Sequence, residues 1–285
     1  MEIKIIDNSI KTNDETKNYV SLLIIEYCNR LGISSDCIEK IIFSDENNYI
    51  NEIKKIDPLE DFTNTPSYKG IGKTLYIPER NTNVIIYNSA IFINLVFMLN
   101  KYELKEETIQ VTLHLLLHEI GHCITNCKDK TIIRSGGSKL FNITDLPIYY
   151  FSIIIDEYSA NRNIINFINK NWVLSELENN YIPDFITLSK SLLSFRDIEF
   201  VQNIWFLFKR IMDIGVFLID YEKSEYISYL NILELPFDIN RVISSFISYN
   251  HGIITKNELF YALSDIANEI LDRYYKIPMN NEGYL

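Results

Sequence analysis

Residues 111–123 read VTLHLLLHEIGHC, and within them His118, Glu119 and His122 form the pattern HExxH. On a helix, residues four apart lie one above the other, with about 5–6 Å between their Cβ atoms. Two imidazoles at that spacing can converge on one metal ion. Glu119 directly follows the first histidine, so its carboxylate can reach a water that a zinc ion activates and accept its proton. The run before the motif is apolar (Val111, Leu113, Leu115, Leu116, Leu117), which predicts that His118 and His122 end a buried helix. Buried imidazoles and a buried carboxylate need partners, and a metal supplies them. With 4 histidines in 285 residues, a chance HExxH has a probability on the order of 0.5%. Gly121, inside the motif, leaves room for another backbone to approach. The stretch therefore reads as a Zn2+ site with His118 and His122 as ligands and Glu119 as general base.

A catalytic zinc site takes three protein ligands and keeps one position open. Residues 156–161, DEYSAN, supply the candidate third ligand, because they break an apolar helical run, 148–155, with an acidic pair. Glu157 is the ligand we read. Asn161, four residues on, shares its face and can accept a hydrogen bond from a ligand histidine. Asp156 points about 100° away around the helix, toward solvent or a basic side chain. Asp145, in the preceding loop, is the alternative ligand. His114, one turn before His118, suits a core histidine or a neighbour of the ligands. Cys123 is rotated about 100° from His122, and with Cys127 it reads as a small buried hydrophobe.

HEIGH followed by Glu157-Tyr158-Ser159-Ala160-Asn161 resembles the HExxH…ExxAN pattern of the ImmA/IrrE-type metallopeptidases, gluzincin-like zincins whose third ligand is a downstream glutamate. The resemblance covers about residues 70–170. It implies Zn2+ held by His118, His122 and Glu157, with Glu119 as the base of a metalloendopeptidase. It also implies a protein or peptide substrate, such as a transcriptional regulator. A metzincin would need glycine and histidine where Thr125 and Lys128 stand. Two other readings of the same residues are a catalytically silent zinc-binding regulator and a toxin-like secreted zinc peptidase. The intact Glu119 speaks against the first.

Composition narrows the partners. The 38 acidic against 27 basic residues give a net charge of −11, a field that repels phosphate backbones, so nucleic acid is not the expected partner. The four cysteines, Cys28, Cys37, Cys123 and Cys127, form no CxxC pair. The N-terminus has no basic segment followed by an apolar core, and Asn88, Ser89 and Asn94 interrupt the most apolar stretch, 84–99. The expectation is a cytoplasmic protein with free thiols and no membrane span.

Periodicity predicts an α+β, predominantly helical chain with a small N-terminal sheet; with the zincin-like fold that the resemblance implies, it divides into a zincin-like part, 1–170, and a helical part, 171–285. Strands are expected at 3–6, 38–43, 73–77 and 84–87, the last two as a hairpin. Helices are expected at 16–31 (ended by Gly32), 89–102, 106–127, 147–170, 197–220 and 256–276. Thr255 and Glu258 have capping-box spacing before the last. Residues 57–72 and 128–146 read as loops, the second containing Gly136 and Gly137. Zincins bind substrate as an added strand on a sheet edge, and 84–87 is the expected edge. Tyr149, Tyr150, Tyr158 and His251 are candidate donors to a developing oxyanion.

Overall fold

The computed structural model describes residues 1–58, 71–128, 146–191, 194, 203, 204, 206–213 and 238–274. The architecture is α+β and predominantly helical, with a four-stranded sheet at the N-terminal end followed by helices. Among the described residues no helix is long and apolar enough to cross a membrane. The chain divides into two compact units, Met1–Ser138 with Ser159–Asn169, and Lys139–Tyr158 with Lys170–Leu285. The division falls inside one continuous helix, between Tyr158 and Ser159.

In the first unit β1 (Glu2–Ile6), β2 (Ile38–Ser44), β3 (Gly72–Ile77) and β4 (Thr82–Asn88) assemble in the order β1-β2-β4-β3. β1, β2 and β4 run parallel, and β3 pairs antiparallel with β4 through a hairpin. The hairpin closes with a 3-10 turn, Pro78–Arg80, and Asn81 at φ 49°, a left-handed conformation that asparagine tolerates better than most residues. α1 (Asp14–Arg30), α2 (Glu46–Ile56) and α3 (Ser89–Leu99) each begin at a polar cap: Asn13, Asp45 and Asn88 accept backbone N–H groups of the first turn.

Two differences from the sequence reading have clear causes. Residues 84–87 were expected at a sheet edge, yet β4 lies between β2 and β3. Val84, Ile85, Ile86 and Tyr87 are all buried, as a strand covered on both faces requires. Among the described residues the edge beside β4 is β3. The second difference is α2, which the sequence reading left unassigned. Its Tyr49 and Ile53 close one face of the sheet against Ile42, Leu75, Val84 and Ile86. That helix is short and its apolar residues are few, so their spacing alone is a weak signal.

The opposite face carries Phe43, Ile85 and Tyr87 and supports α4 (Glu106–Lys128). Tyr87, stacked at 5.7 Å on Phe43, donates its hydroxyl to the Leu116 carbonyl of α4 at 2.7 Å. Near the C-terminal end of α4, Asn126 donates to Asn83 of β4 at 2.8 Å. Two polar links thus fix α4 along the sheet, and Leu116, Leu117, Ile120, Cys123 and Ile124 bury its inner face. Val111, by contrast, is 38% exposed although its neighbours Gln110 and Thr112 are buried, so it lies on the outer face of α4.

The described residues of the second unit are predominantly helical. The unit holds the first part of α5 (Leu146–Ile164), then α6 (Lys170–Glu176), a π-helical turn, α7 (Ile182–Ser191) and the helical residues 206–213. α8 (Ile239–Asn250) and α9 (Lys256–Tyr274) complete it. Phe151 packs on Phe208 at 5.2 Å and Tyr158 on Phe246 at 4.8 Å. Arg241 of α8 forms a two-pronged ion pair with Glu269 of α9, at 2.6 and 3.0 Å. The expected capping box is formed: the Thr255 N–H donates to Glu258 Oε2 at 2.6 Å, and the Glu258 N–H to Thr255 Oγ1 at 3.2 Å. Most of the loop 57–72, most of the loop 128–146 with Gly136 and Gly137, and much of the expected helix 197–220 lie outside the described residues.

Candidate metal centre

α4 presents His118 and His122 one turn apart, both half-buried. Their rings are nearly perpendicular, with centroids 4.8 Å apart and Nε2 atoms 3.2 Å apart. Two nitrogens that share one tetrahedral zinc ion, each at about 2.0–2.1 Å, lie about 3.3 Å from one another. The pair therefore has the spacing of two ligands of one ion. Glu157 of α5 completes the group: one ligand atom from each of His118, His122 and Glu157 lies within 4.8 Å of the others. Among the described residues this is the one such cluster of three or more histidine, cysteine or acidic side chains.

Asn161 sets the chemistry of the first histidine. Its Oδ1 is 2.9 Å from His118 Nδ1 and 3.4 Å from His114 Nε2. An amide oxygen only accepts, so His118 Nδ1 carries the proton and Nε2 keeps its lone pair for an ion. His114, whose ring stands edge-on to that of His118 at 6.0 Å, shares the same oxygen. Asn161 is itself buried, which leaves little water to compete for this bond.

The two helices can meet because Gly121 has no side chain at the crossing. A Cβ built on Gly121 would lie 2.5 Å from the Ala160 carbonyl oxygen, closer than real Cβ contacts allow. Glycine inside HEIGH and alanine inside ExxAN are thus the two sides of one contact. Next to it, Asn163 donates to the Gly121 carbonyl at 3.2 Å and to Thr125 Oγ1 at 3.3 Å. With the backbones this close, Glu157 and Asn161 of α5 come within reach of the α4 histidines.

Glu119 faces the sheet. It is 8% exposed, and Thr74 of β3 donates its hydroxyl toward Glu119 Oε2 at 2.8 Å and toward the Glu119 carbonyl at 2.9 Å. The carboxylate also lies against Gly72, where a Cβ would come 2.8 Å from Glu119 Cγ and 2.9 Å from Oε1.

Asp156 and Glu157 diverge as neighbours on a helix must. Asp156 pairs with Lys256 of α9. Glu157 Oε2 lies 4.0 Å from Lys209 Nζ, and Lys209 is 3.8 Å from Asp213. Asp213 is buried, and burial pushes its carboxyl above the ordinary range while Lys209 and Arg210 pull it back. Asp145 lies outside the described residues, as do the side chains of Tyr149 and Tyr150. Of the other candidate oxyanion donors, Tyr158 is packed in the core and His251 is exposed as the C-cap of α8.

All four cysteines are free thiols. Burial raises the Cys123 thiol well above its usual range, and burial together with the Cys37 thiol pushes Cys127 up to about 12. Both stay protonated near neutral pH and make poor metal ligands.

Comparison with protein-family models, with curated proteins and with solved structures finds no match for the chain. The functional reading therefore rests on the site itself. Thr74, Gly72 and Lys209 belong to the surroundings of that site and were not singled out from sequence, and Ala160 entered only as part of the ExxAN motif. Gly72, read as the end of a loop, is the first residue of β3, where glycine marks a close approach by another group. Thr74 and Lys209 offered no signal.

Proposed function

We propose that the protein is a zinc-dependent metalloendopeptidase. The observation that carries the reading is the convergence of one ligand atom each from His118, His122 and Glu157, the two histidine Nε2 atoms 3.2 Å apart, beside the buried Glu119. Two imidazoles and one carboxylate are a donor set suited to zinc, and three protein ligands leave a position for substrate or water. Zinc, when bound, would act as a Lewis acid that acidifies water and polarises a carbonyl.

The chain's own residues supply the rest. His118 offers Nε2 because Asn161 holds the proton on Nδ1. Glu119 is the general base: a carboxylate oxygen accepts a proton from the attacking water and passes it to the amine that leaves as the peptide C–N bond breaks. A substrate would extend the sheet along β3, the edge nearest Glu119. The HExxH…ExxAN motif favours ImmA/IrrE-type peptidases, and with them a protein substrate such as a transcriptional regulator and a cytoplasmic site of action.

The test pairs metal analysis with digestion of an unbiased peptide library. Parent protein should carry one zinc per chain and cleave. Glu119→Gln should keep the zinc and the fold while losing hydrolysis by roughly 10² or more, the scale of a lost general base. Parent-level cleavage by Glu119→Gln would remove the mechanism. Zinc binding without cleavage by the parent would instead favour a binding or regulatory role.

A further inference from the structure

The edge strand and the candidate general base are joined by contacts that the HExxH motif does not contain. Thr74 Oγ1 lies 2.8 Å from a Glu119 carboxylate oxygen and 2.9 Å from the Glu119 carbonyl. One hydroxyl proton serves both acceptors, and its bond to the carboxylate is charge-assisted. Gly72, two residues earlier, lies on the same face of β3, because alternate strand residues share a face. Its missing side chain leaves the space that Glu119 Cγ and Oε1 occupy. Leu75 and Ile77, of opposite parity, pack in the α2 core instead. Glu119 is 8% exposed, so water offers little alternative solvation to its carboxylate.

We propose that Thr74 and Gly72 are positioning residues for the reaction, holding the Glu119 carboxylate in one orientation against β3. The catalytic consequence rests on the peptidase reading above. A base fixed to the edge strand stays in register with whatever pairs to that strand, so binding a substrate strand and aiming the base become one event. Threonine suits the place because its hydroxyl donates to the carboxylate. Glycine suits position 72 because any Cβ would displace Glu119.

The experiment compares Thr74→Val, Thr74→Ser and Gly72→Ala with the parent as full-length, zinc-loaded proteins. The probe is the best-cleaved peptide from the library. Valine keeps threonine's shape and removes the donor. Thr74→Val should lose kcat by about 10- to 100-fold, the cost of misplacing a catalytic group, with KM, zinc content and melting temperature near parental values. Thr74→Ser should restore most of kcat, and Gly72→Ala should lose it as Thr74→Val does. Crystal structures of the zinc-loaded parent and Thr74→Val should show the Glu119 carboxylate against Thr74 in the first and displaced in the second. A folded, zinc-loaded Thr74→Val with parental kcat overturns the proposal, as does a Glu119 carboxylate that stays in place without the hydroxyl. If Glu119→Gln cleaves like the parent, or neither cleaves, the peptidase reading has failed, and the two crystal structures alone decide whether Thr74 holds Glu119.

Discussion

His118 can serve as a ligand through Nε2 only with that lone pair free, and Asn161 favours this by accepting a hydrogen bond from the Nδ1 N–H. Replacing Asn161 by leucine removes the acceptor and frees the ring to rotate and change tautomer. Zinc affinity should fall about 10- to 100-fold, the usual cost of losing such a partner, as measured by competition with a chelator of known affinity. Parental affinity in Asn161→Leu would show that the bond does not set the tautomer. The acidic pair offers a second test at this scale. Glu157→Ala empties a coordination position, whereas Asp156→Ala only frees Lys256. The first should weaken zinc binding far more than the second, and the reverse order would reassign the third ligand.

Between elements, the decisive feature is the crossing of α4 and α5 at Gly121 and Ala160. Gly121→Ala places a methyl group 2.5 Å from a backbone oxygen, which has no flexible end to give way. The helices must separate, at a cost of about 1–3 kcal/mol typical of overpacking. Separation also moves Glu157 and Asn161 away from the histidines. Gly121→Ala should therefore lower the melting temperature and the zinc affinity together, whereas alanine in an isolated helix would be favoured over glycine. A variant as stable as the parent, with parental zinc affinity, would show that the crossing is not tight. β3 and β4 carry the same lesson for the sheet: an apolar run such as 84–87 announces a strand, but only pairing on both sides shows that it is interior.

Across the whole molecule, an ion held by α4 and α5 ties together residues separated by more than thirty positions of chain. Binding to the folded form alone stabilises it by about 2.7 kcal/mol when free zinc is a hundred times the dissociation constant. Chelation should thus lower the melting temperature by several degrees, and His122→Ala should abolish the dependence on zinc. An unchanged melting temperature after complete zinc removal would contradict a metal bridge between the two helices. By itself, the sequence determined the identities and spacings that are local in the chain. These include the HExxH pair on one helical face, the acidic pair before Asn161, the Thr255–Glu258 capping box, and the helical character of most of the chain after the N-terminal sheet. Each of these follows from a period of two or 3.6 residues, or from bonds that reach no further than one turn. Only the tertiary structure decided that β4 is interior and β3 the edge, that α2 covers the sheet, and that Gly121 meets Ala160. It likewise brought Thr74 to Glu119 and Lys209 to Glu157. Those pairings join residues 39 to 52 positions apart in the chain. No local period encodes such contacts, because they depend on how separately formed elements fill one another's gaps.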